Sequence, residues 1–358
     1  MGARRLGAPL GRCVCRLPRA LRADARATQP ATPMKGETMI RSLIAFLLAL
    51  LSGLALAQPF PSKPLRILVP FPPGGGTDVA ARALGDYMTR DLGQPVVIDN
   101  RPGGNSVIAT DALARSAPDG HTPLLTTDFH SINAAFGASL PYDSLKDFAF
   151  VSRVSTSPLM LVTYPASGIK TLGEAVAAAR ANPGKLSFAS LGTSSPHYLG
   201  FEWFKRMANI EMIDVPYKGG GPALAAVLGG QVTLSLIVAS NGIRQAQAGK
   251  LVALAVTGPT RASVAPGVPT FVESGYPEFV MLNWYGILVP AGTPRAALQR
   301  LNGSIVAALK TSEVQARLVT AGVDAAPGTP EELEAWVRKD IARYRHMIEL
   351  TGAKPEGR

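Results

Sequence analysis

Short apolar runs alternate with segments of helical spacing along most of the chain. Leu65, Ile67, Leu68 and Val69 make one such run over 64–69, which predicts a buried strand. Val79, Ala83, Leu84, Tyr87, Met88 and Leu92 then recur three and four apart, with Gly93 behind them. That spacing predicts a helix stopped by a glycine. The succession continues. Strands are expected at 94–99, 123–126, 148–154, 159–164, 185–190, 212–215, 231–238 and 251–257. Helices are expected at 108–116, 175–181, 198–208 and 222–228, from a Ser240 cap to 248, and at 293–310 and 312–320. Thr171 with Glu174, and Thr329 with Glu332, stand at capping-box spacing, the second pair opening a long amphipathic helix to 350. Such alternation predicts an α/β protein with mostly parallel sheets.

Three of the strand-to-helix turns share a composition. They are Val69-Pro70-Phe71-Pro72-Pro73-Gly74-Gly75-Gly76-Thr77-Asp78, Gly192-Thr193-Ser194-Ser195-Pro196-His197 and Tyr217-Lys218-Gly219-Gly220-Gly221-Pro222. Glycines let a ligand approach the backbone without Cβ atoms in the way. Thr77 or Asp78 is placed to cap the first helix. The free amides of a first helical turn favour an anion. In open α/β sheets these turns lie at the carboxyl ends of strands, where ligands bind. No nucleotide fingerprint is present: after Gly76 the next glycine is Gly85, and no Gly-Lys-Ser/Thr follows.

Charge changes the picture less than its total suggests. The formal net charge is +11. Residues 1–57 carry nine basic and two acidic side chains, +7 of that total, which leaves +4 for the rest. A mildly basic body gives little support to nucleic-acid binding. The first 57 residues read as a signal peptide. Arg41 precedes the apolar run 43–51, and Ala55-Leu56-Ala57 offers a cleavage site before Gln58. Met39 stands where such a peptide would begin, so the true start is expected there. Both cysteines, Cys13 and Cys15, fall in this segment. The remaining chain is expected to be exported by a Sec-type route to the periplasm, soluble and without disulfides.

The residues point to binding more than to catalysis. None of His121, His130, His197 and His346 has metal-ligand spacing to another. No metal and no cofactor are expected. Ser194 and Ser195 lie close to His197, which keeps a hydrolase or isomerase as an alternative. Residues so near one another at a helix start do not face each other productively, and the second glycine of a nucleophile elbow is missing. Trp284-Tyr285 is a candidate cleft wall, and Lys218 is the one cation within a glycine turn.

At these residues the chain resembles the substrate-binding proteins of tripartite tricarboxylate transporters, the Bug family of periplasmic receptors. The likeness rests on Pro61-Ser62-Lys63-Pro64, the turn 69–78, Leu92-Gly93-Gln94-Pro95, Asn100-Arg101-Pro102-Gly103 and Ala117-Pro118-Asp119-Gly120. It continues through Leu140-Pro141-Tyr142-Asp143, Val215-Pro216-Tyr217-Lys218-Gly219, Leu228-Gly229-Gly230-Gln231 and Val289-Pro290-Ala291-Gly292-Thr293-Pro294.

The resemblance implies a two-domain type II periplasmic-binding-protein-like fold with a ligand cleft between domains. The expected parts are 58–162 and 283–358 for domain 1 and 163–282 for domain 2, with hinges near 160–165 and 280–285. It implies capture of a small organic carboxylate by a monomer, and delivery to a membrane transporter of two further subunits, encoded nearby or elsewhere. A subunit presenting ligand to a sensor is a further alternative. By the family's pattern the ligand meets Pro73, Gly74, Gly75, Gly76, Thr77 and Asp78 in the first domain. In the second it meets Gly192, Thr193, Ser194, Ser195, His197, Tyr217, Lys218, Gly219 and Gly220. Thr127-Asp128-Phe129 stands where the family often has Thr-Ser-Gly, and Thr233 and Ile237 stand where it has two aspartates. Thr127, Asp128 and Ile237 are expected to face the ligand, and the changes at Asp128 and Ile237 imply that its far end is apolar or aromatic.

Overall fold

The computed structural model describes residues 60–137 and 139–355. The leader, its cleavage site and both cysteines lie outside these residues. A single curled sheet of nine strands runs through the molecule in the order β2-β1-β3-β9-β4-β7-β5-β6, with β8 also on β4. β1 (Leu65–Val69) lies parallel between β2 (Val96–Asn100) and β3 (Leu124–Thr127). β3 pairs antiparallel with β9 (Leu282–Pro290), which pairs antiparallel with β4 (Phe148–Thr163). The far end of β4 pairs antiparallel with β7 (Leu234–Val238) and β8 (Val252–Val256). β7 lies parallel to β5 (Ser187–Ser190), and β5 to β6 (Ile213–Pro216). The sheet is therefore mixed. Its outer strands are parallel as expected, but every pairing of β4 and β9 is antiparallel.

Ten α-helices are described: α1 (Gly76–Leu92), α2 (Val107–Ala114), α3 (Phe129–Ala135), α4 (Leu172–Ala181) and α5 (Pro196–Ala208), then α6 (Gly220–Leu228), α7 (Ala239–Gln247), α8 (Arg295–Leu309), α9 (Ser312–Thr320) and α10 (Pro330–Thr351). Among the described residues no helix is long and apolar enough to cross a membrane. The apolar stripe of α1 is buried at Ala80, Ala83, Leu84 and Met88, against β1 and against Leu301 and Ile305 of α8. Gly93 ends α1 with φ 69°, in the left-handed region its missing Cβ permits. On the opposite face, Leu333, Val337, Tyr344 and Met347 of α10 pack with Ile132 and Trp284.

Four readings of the sequence change. The segment 148–163 is one strand, not two: it passes through register shifts at Phe150/Ser152 and Arg153/Ser155, and Ser155-Thr156-Ser157-Pro158 stays extended and paired with β9. Pro158 costs no ladder bond there, because pairing with β9 ends at Pro158–Leu282 and pairing with β7 begins at Leu159–Val238. β9 and α3 are elements the hydrophobic pattern did not reveal. Ser240 is not a cap: Val238 occupies the N-cap of α7, without a side-chain bond, and Ser240 lies inside the helix. Finally, α1, α5 and α6 start within the turns themselves, at Gly76, Pro196 and Gly220.

Candidate functional site

The sheet register determines where the three turns lie. Thr127 ends β3 opposite Tyr285, and Tyr285 stands opposite Ser155 on β4. Val238 ends β7 opposite Leu159, while Ala189, next to the end of β5, pairs with Ser235. The strands of one half-sheet run antiparallel to those of the other. Both sets of carboxyl ends therefore face one zone over residues 155–161 of β4. The turns after β1, β5 and β6 follow these carboxyl ends and emerge toward this zone.

In the first turn Gly74 takes φ +84°. Its amide donates to Asp78 Oδ2 at 3.0 Å, Arg82 Nε donates to the same oxygen at 2.9 Å, and Asn100 Nδ2 donates to Asp78 Oδ1 at 3.0 Å. Asn100 also donates to Phe71 O at 3.0 Å. Burial raises the pKa of the Asp78 carboxyl, but the bonds from Arg82, Gly74 and Asn100 outweigh it and hold the group below its ordinary value. Asp78 is thus a brace for the turn and does not cap the helix. Nor does Thr77: the N-cap is Gly75, with extended backbone and no side-chain bond. The amides of the first turn of α1 keep no side-chain acceptor, which leaves them for an anion. Pro72, Pro73, Gly74 and Gly75 are exposed at the rim.

Gly76 has a second reason to be glycine. A Cβ there would meet the Ala321 carbonyl oxygen at 2.8 Å and the Tyr285 hydroxyl at 3.1 Å. A Gly76→Val change therefore strikes the fold as well as the ligand path. Of the Trp284-Tyr285 pair, only Tyr285 reaches this turn. Trp284 is fully enclosed and donates from Nε1 to Asp340 Oδ2 at 2.8 Å. Successive residues of a strand point to opposite faces, a signal that could have separated the two.

The second turn is closed by its own hydroxyls. Ser195 Oγ donates to Gly192 O at 2.7 Å and accepts from Tyr198 N at 3.2 Å, so it is the N-cap of α5. Ser190 Oγ accepts from Gly192 N at 3.3 Å. Both bonding directions of Ser195 are occupied without His197. Burial presses His197 down to about 4, and its Nδ1 is enclosed without a partner among the described residues. Thr193 is half-buried and Ser194 buried.

The third turn is tied to the second, since Tyr217 N donates to Ser190 O at 2.9 Å. Gly219, with φ +110°, is the N-cap of α6 and again has no side-chain bond. A Cβ at Gly220 or Gly221 would meet nothing within 4 Å. Lys218 is exposed and Tyr217 half-buried.

The remaining positions lie deeper. Thr127 Oγ1 accepts from Phe129 N at 3.3 Å at the end of β3. Asp128 is 3% exposed, and its Oδ2 has no hydrogen-bond partner among the described residues. Burial first, then the negative Asp340, pushes the Asp128 pKa up to about 8, against the pull of Arg343. Ile237 packs with Met160 and Val256 in an apolar cluster. Among the described residues no three His, Cys, Asp or Glu side chains gather into a group that could hold a metal.

Known proteins resemble this chain along most of its length. The profile described as "Tripartite tricarboxylate transporter family receptor" matches residues 80–353. "Protein BugT" of Bordetella pertussis is 37% identical over 300 residues, covering 83% of this chain and 92% of its own. A solved structure of Rpa4515 from R. palustris with adipate superposes with TM-score 0.75 at 29% identity, over 83% of this chain and 99% of that one. MatC (Rpa3494) from Rhodopseudomonas palustris with bound malate gives TM-score 0.71 at 31% identity, over 81% and 100%.

Proposed function

The chain belongs to the tripartite tricarboxylate transporter receptor family, and from that premise we propose that it captures a small organic carboxylate between two lobes. As in its family, its role is that of a receptor and not an enzyme. The lobes are 58–162 with 283–358, and 163–282, joined where β4 and β9 cross. The observation that carries the reading is the sheet register, which brings the carboxyl ends of both half-sheets to one zone of β4. There Gly75 and Gly219 cap two helices without side chains, and the amides behind them hold the carboxylate. Pro73, Thr77, Thr193, Ser194 and Tyr217 line the approach, with Lys218 at its edge. Asp78, Ser195 and Asn100 hold the turns in shape.

Ile237 is apolar, and burial pushes the Asp128 pKa up to about 8, which favours the protonated carboxyl at neutral pH. Neither position offers a carboxylate to an ammonium group, so acids without an amino group are the preferred class. Adipate and malate, bound by the two solved relatives, are the first candidates, beside acids whose far end is apolar or aromatic. The receptor acts as a monomer in the periplasm after cleavage near Ala57, and hands its ligand to two membrane subunits.

A thermal-shift screen of the chain from Gln58 tests this, with adipate, malate, aromatic acids and amino acids. A ligand that binds only the native state raises the melting temperature. Acids are expected to do so and amino acids to do so least. No shift with any acid, together with no small molecule released on unfolding the purified protein, would overturn the reading.

A further inference from the structure

The two strands that cross between the lobes are both held by one buried side chain. β4 leaves β9 at Pro158 and joins β7 at Leu159. The second crossing ends at Met281, directly before β9. Thr257 follows β8 and is fully buried between them. In a regular antiparallel ladder, Thr257 and Leu159 would exchange two backbone bonds. Only one of these is made: Thr257 N donates to Leu159 O at 2.8 Å. The return bond runs from Leu159 N to the Thr257 hydroxyl at 2.9 Å. That substitution frees the Thr257 carbonyl, which accepts from Met281 N at 2.8 Å. The hydroxyl hydrogen then goes to Met281 O at 2.7 Å. Four bonds thus tie both crossing strands to one residue, and two of them need the hydroxyl.

We propose that Thr257 is a positioning residue for ligand capture, the pin that sets how freely the two lobes move about their crossing strands. The inference rests on the two-lobe reading of the cleft. Thr257 is fully buried and its hydroxyl bonds only the backbone of Leu159 and Met281, so it acts through the crossing strands and not by touching ligand. Without the hydroxyl, Leu159 N–H and Met281 C=O each lose a buried partner, and the crossing strands loosen. A looser hinge has more open arrangements to give up on closing, so every ligand binds more weakly. The closing step is common to all ligands, so the loss is one shared factor.

Calorimetric dissociation constants for adipate and malate are to be measured on wild type, Thr257→Val and Thr257→Ser, beside small-angle scattering with and without each acid. Wild type is expected to compact on binding. Thr257→Val is expected to weaken both acids by the same factor, about two- to tenfold for a net hydrogen bond or two. Thr257→Ser, which keeps the hydroxyl, is expected to restore affinity. Unchanged constants in Thr257→Val beside a lower melting temperature would overturn the pin while leaving the receptor reading intact. So would factors that differ between the acids. Should Thr257→Val not fold, hydrogen exchange in wild type decides: the Leu159 and Met281 amides are expected to exchange more slowly with ligand, and unchanged rates would overturn the proposal. If wild type binds without compacting, the two-lobe reading falls and this inference falls with it.

Discussion

Gly76 and Gly220 are both the first residue of a helix at the cleft, yet they are glycine for different reasons. Around Gly76 the space is filled by Ala321 O and the Tyr285 hydroxyl, whereas around Gly220 it is open. Gly76→Ala is therefore expected to lower the melting temperature with or without ligand. Gly220→Ala is expected to leave it unchanged or slightly raised, since alanine favours a helix, while weakening acid binding tenfold or more, about 1.4 kcal/mol. Thermal melts and calorimetry on the two variants separate packing from approach; equal affinities in Gly220→Ala and wild type would remove the third turn from the site. Asp128 gives a second test at this scale. Its pKa rises from an ordinary 3.8 to about 8 because burial penalises the charge. Between those values the unfolded chain releases a proton that the native state keeps, so the native state binds more protons. Stability from this group is greatest below about pH 4 and declines as pH rises toward 8. Asp128→Asn removes the decline. Its gain in melting temperature over wild type is expected to grow between pH 5 and pH 8; a gain independent of pH would mean that Asp128 is ionised in the native protein.

Helices with local signals were legible in the chain. Thr329 and Glu332 make the reciprocal bonds their spacing predicts: Glu332 N donates to Thr329 Oγ1 at 3.1 Å, and Thr329 N to Glu332 Oε2 at 3.0 Å. Thr171 caps α4 likewise, but Glu174 turns instead to Lys170 N at 2.7 Å. Because α10 carries Leu333, Val337 and Tyr344 into the core, fraying its start should be felt globally. Thr329→Ala is expected to lower unfolding stability by about 1 kcal/mol, read as a shift in urea midpoint at constant slope; no shift would mean that core packing alone holds the first turn. What was not legible depends on partners distant in sequence. β9 carries Asn283 and Gly286 among its apolar residues, and its identity as a strand comes from β3 and β4 on either side. Ser155-Thr156-Ser157-Pro158 looks like a break until β9 is there to pair with it. The same gap hid the mixed character of the sheet, because the antiparallel pairings of the first half-sheet all need β9. Of the site, the three turns could be read from glycine spacing and family likeness. The bracing roles of Asp78 and Ser195, and the reach of Tyr285 to Gly76, required the folded register.

Both half-sheets share more than a crossing. One apolar cluster contains Leu68, Ile132 and Trp284 from the first and Phe188, Phe204 and Leu236 from the second, with Met281 between them. α10 spans the same boundary, for Arg206 of α5 donates to Thr351 O at the end of α10 at 3.1 Å. The described residues accordingly group as one compact unit. On the two-lobe proposal, motion is confined to the side of the three turns and to the strands that Thr257 ties, with the shared core as a fixed back. A lobe could not unfold alone without opening that core to water, at roughly 25 cal/mol for each Å² of apolar surface exposed. The chain from Gln58 is therefore expected to unfold in a single calorimetric transition, with van't Hoff and calorimetric enthalpies in agreement. Ligand should move that transition upward as a whole, because the site draws turns from both half-sheets. Two resolved transitions, or a ligand that raises only part of the unfolding heat, would mean that the lobes are independent units and that the common core does not couple them.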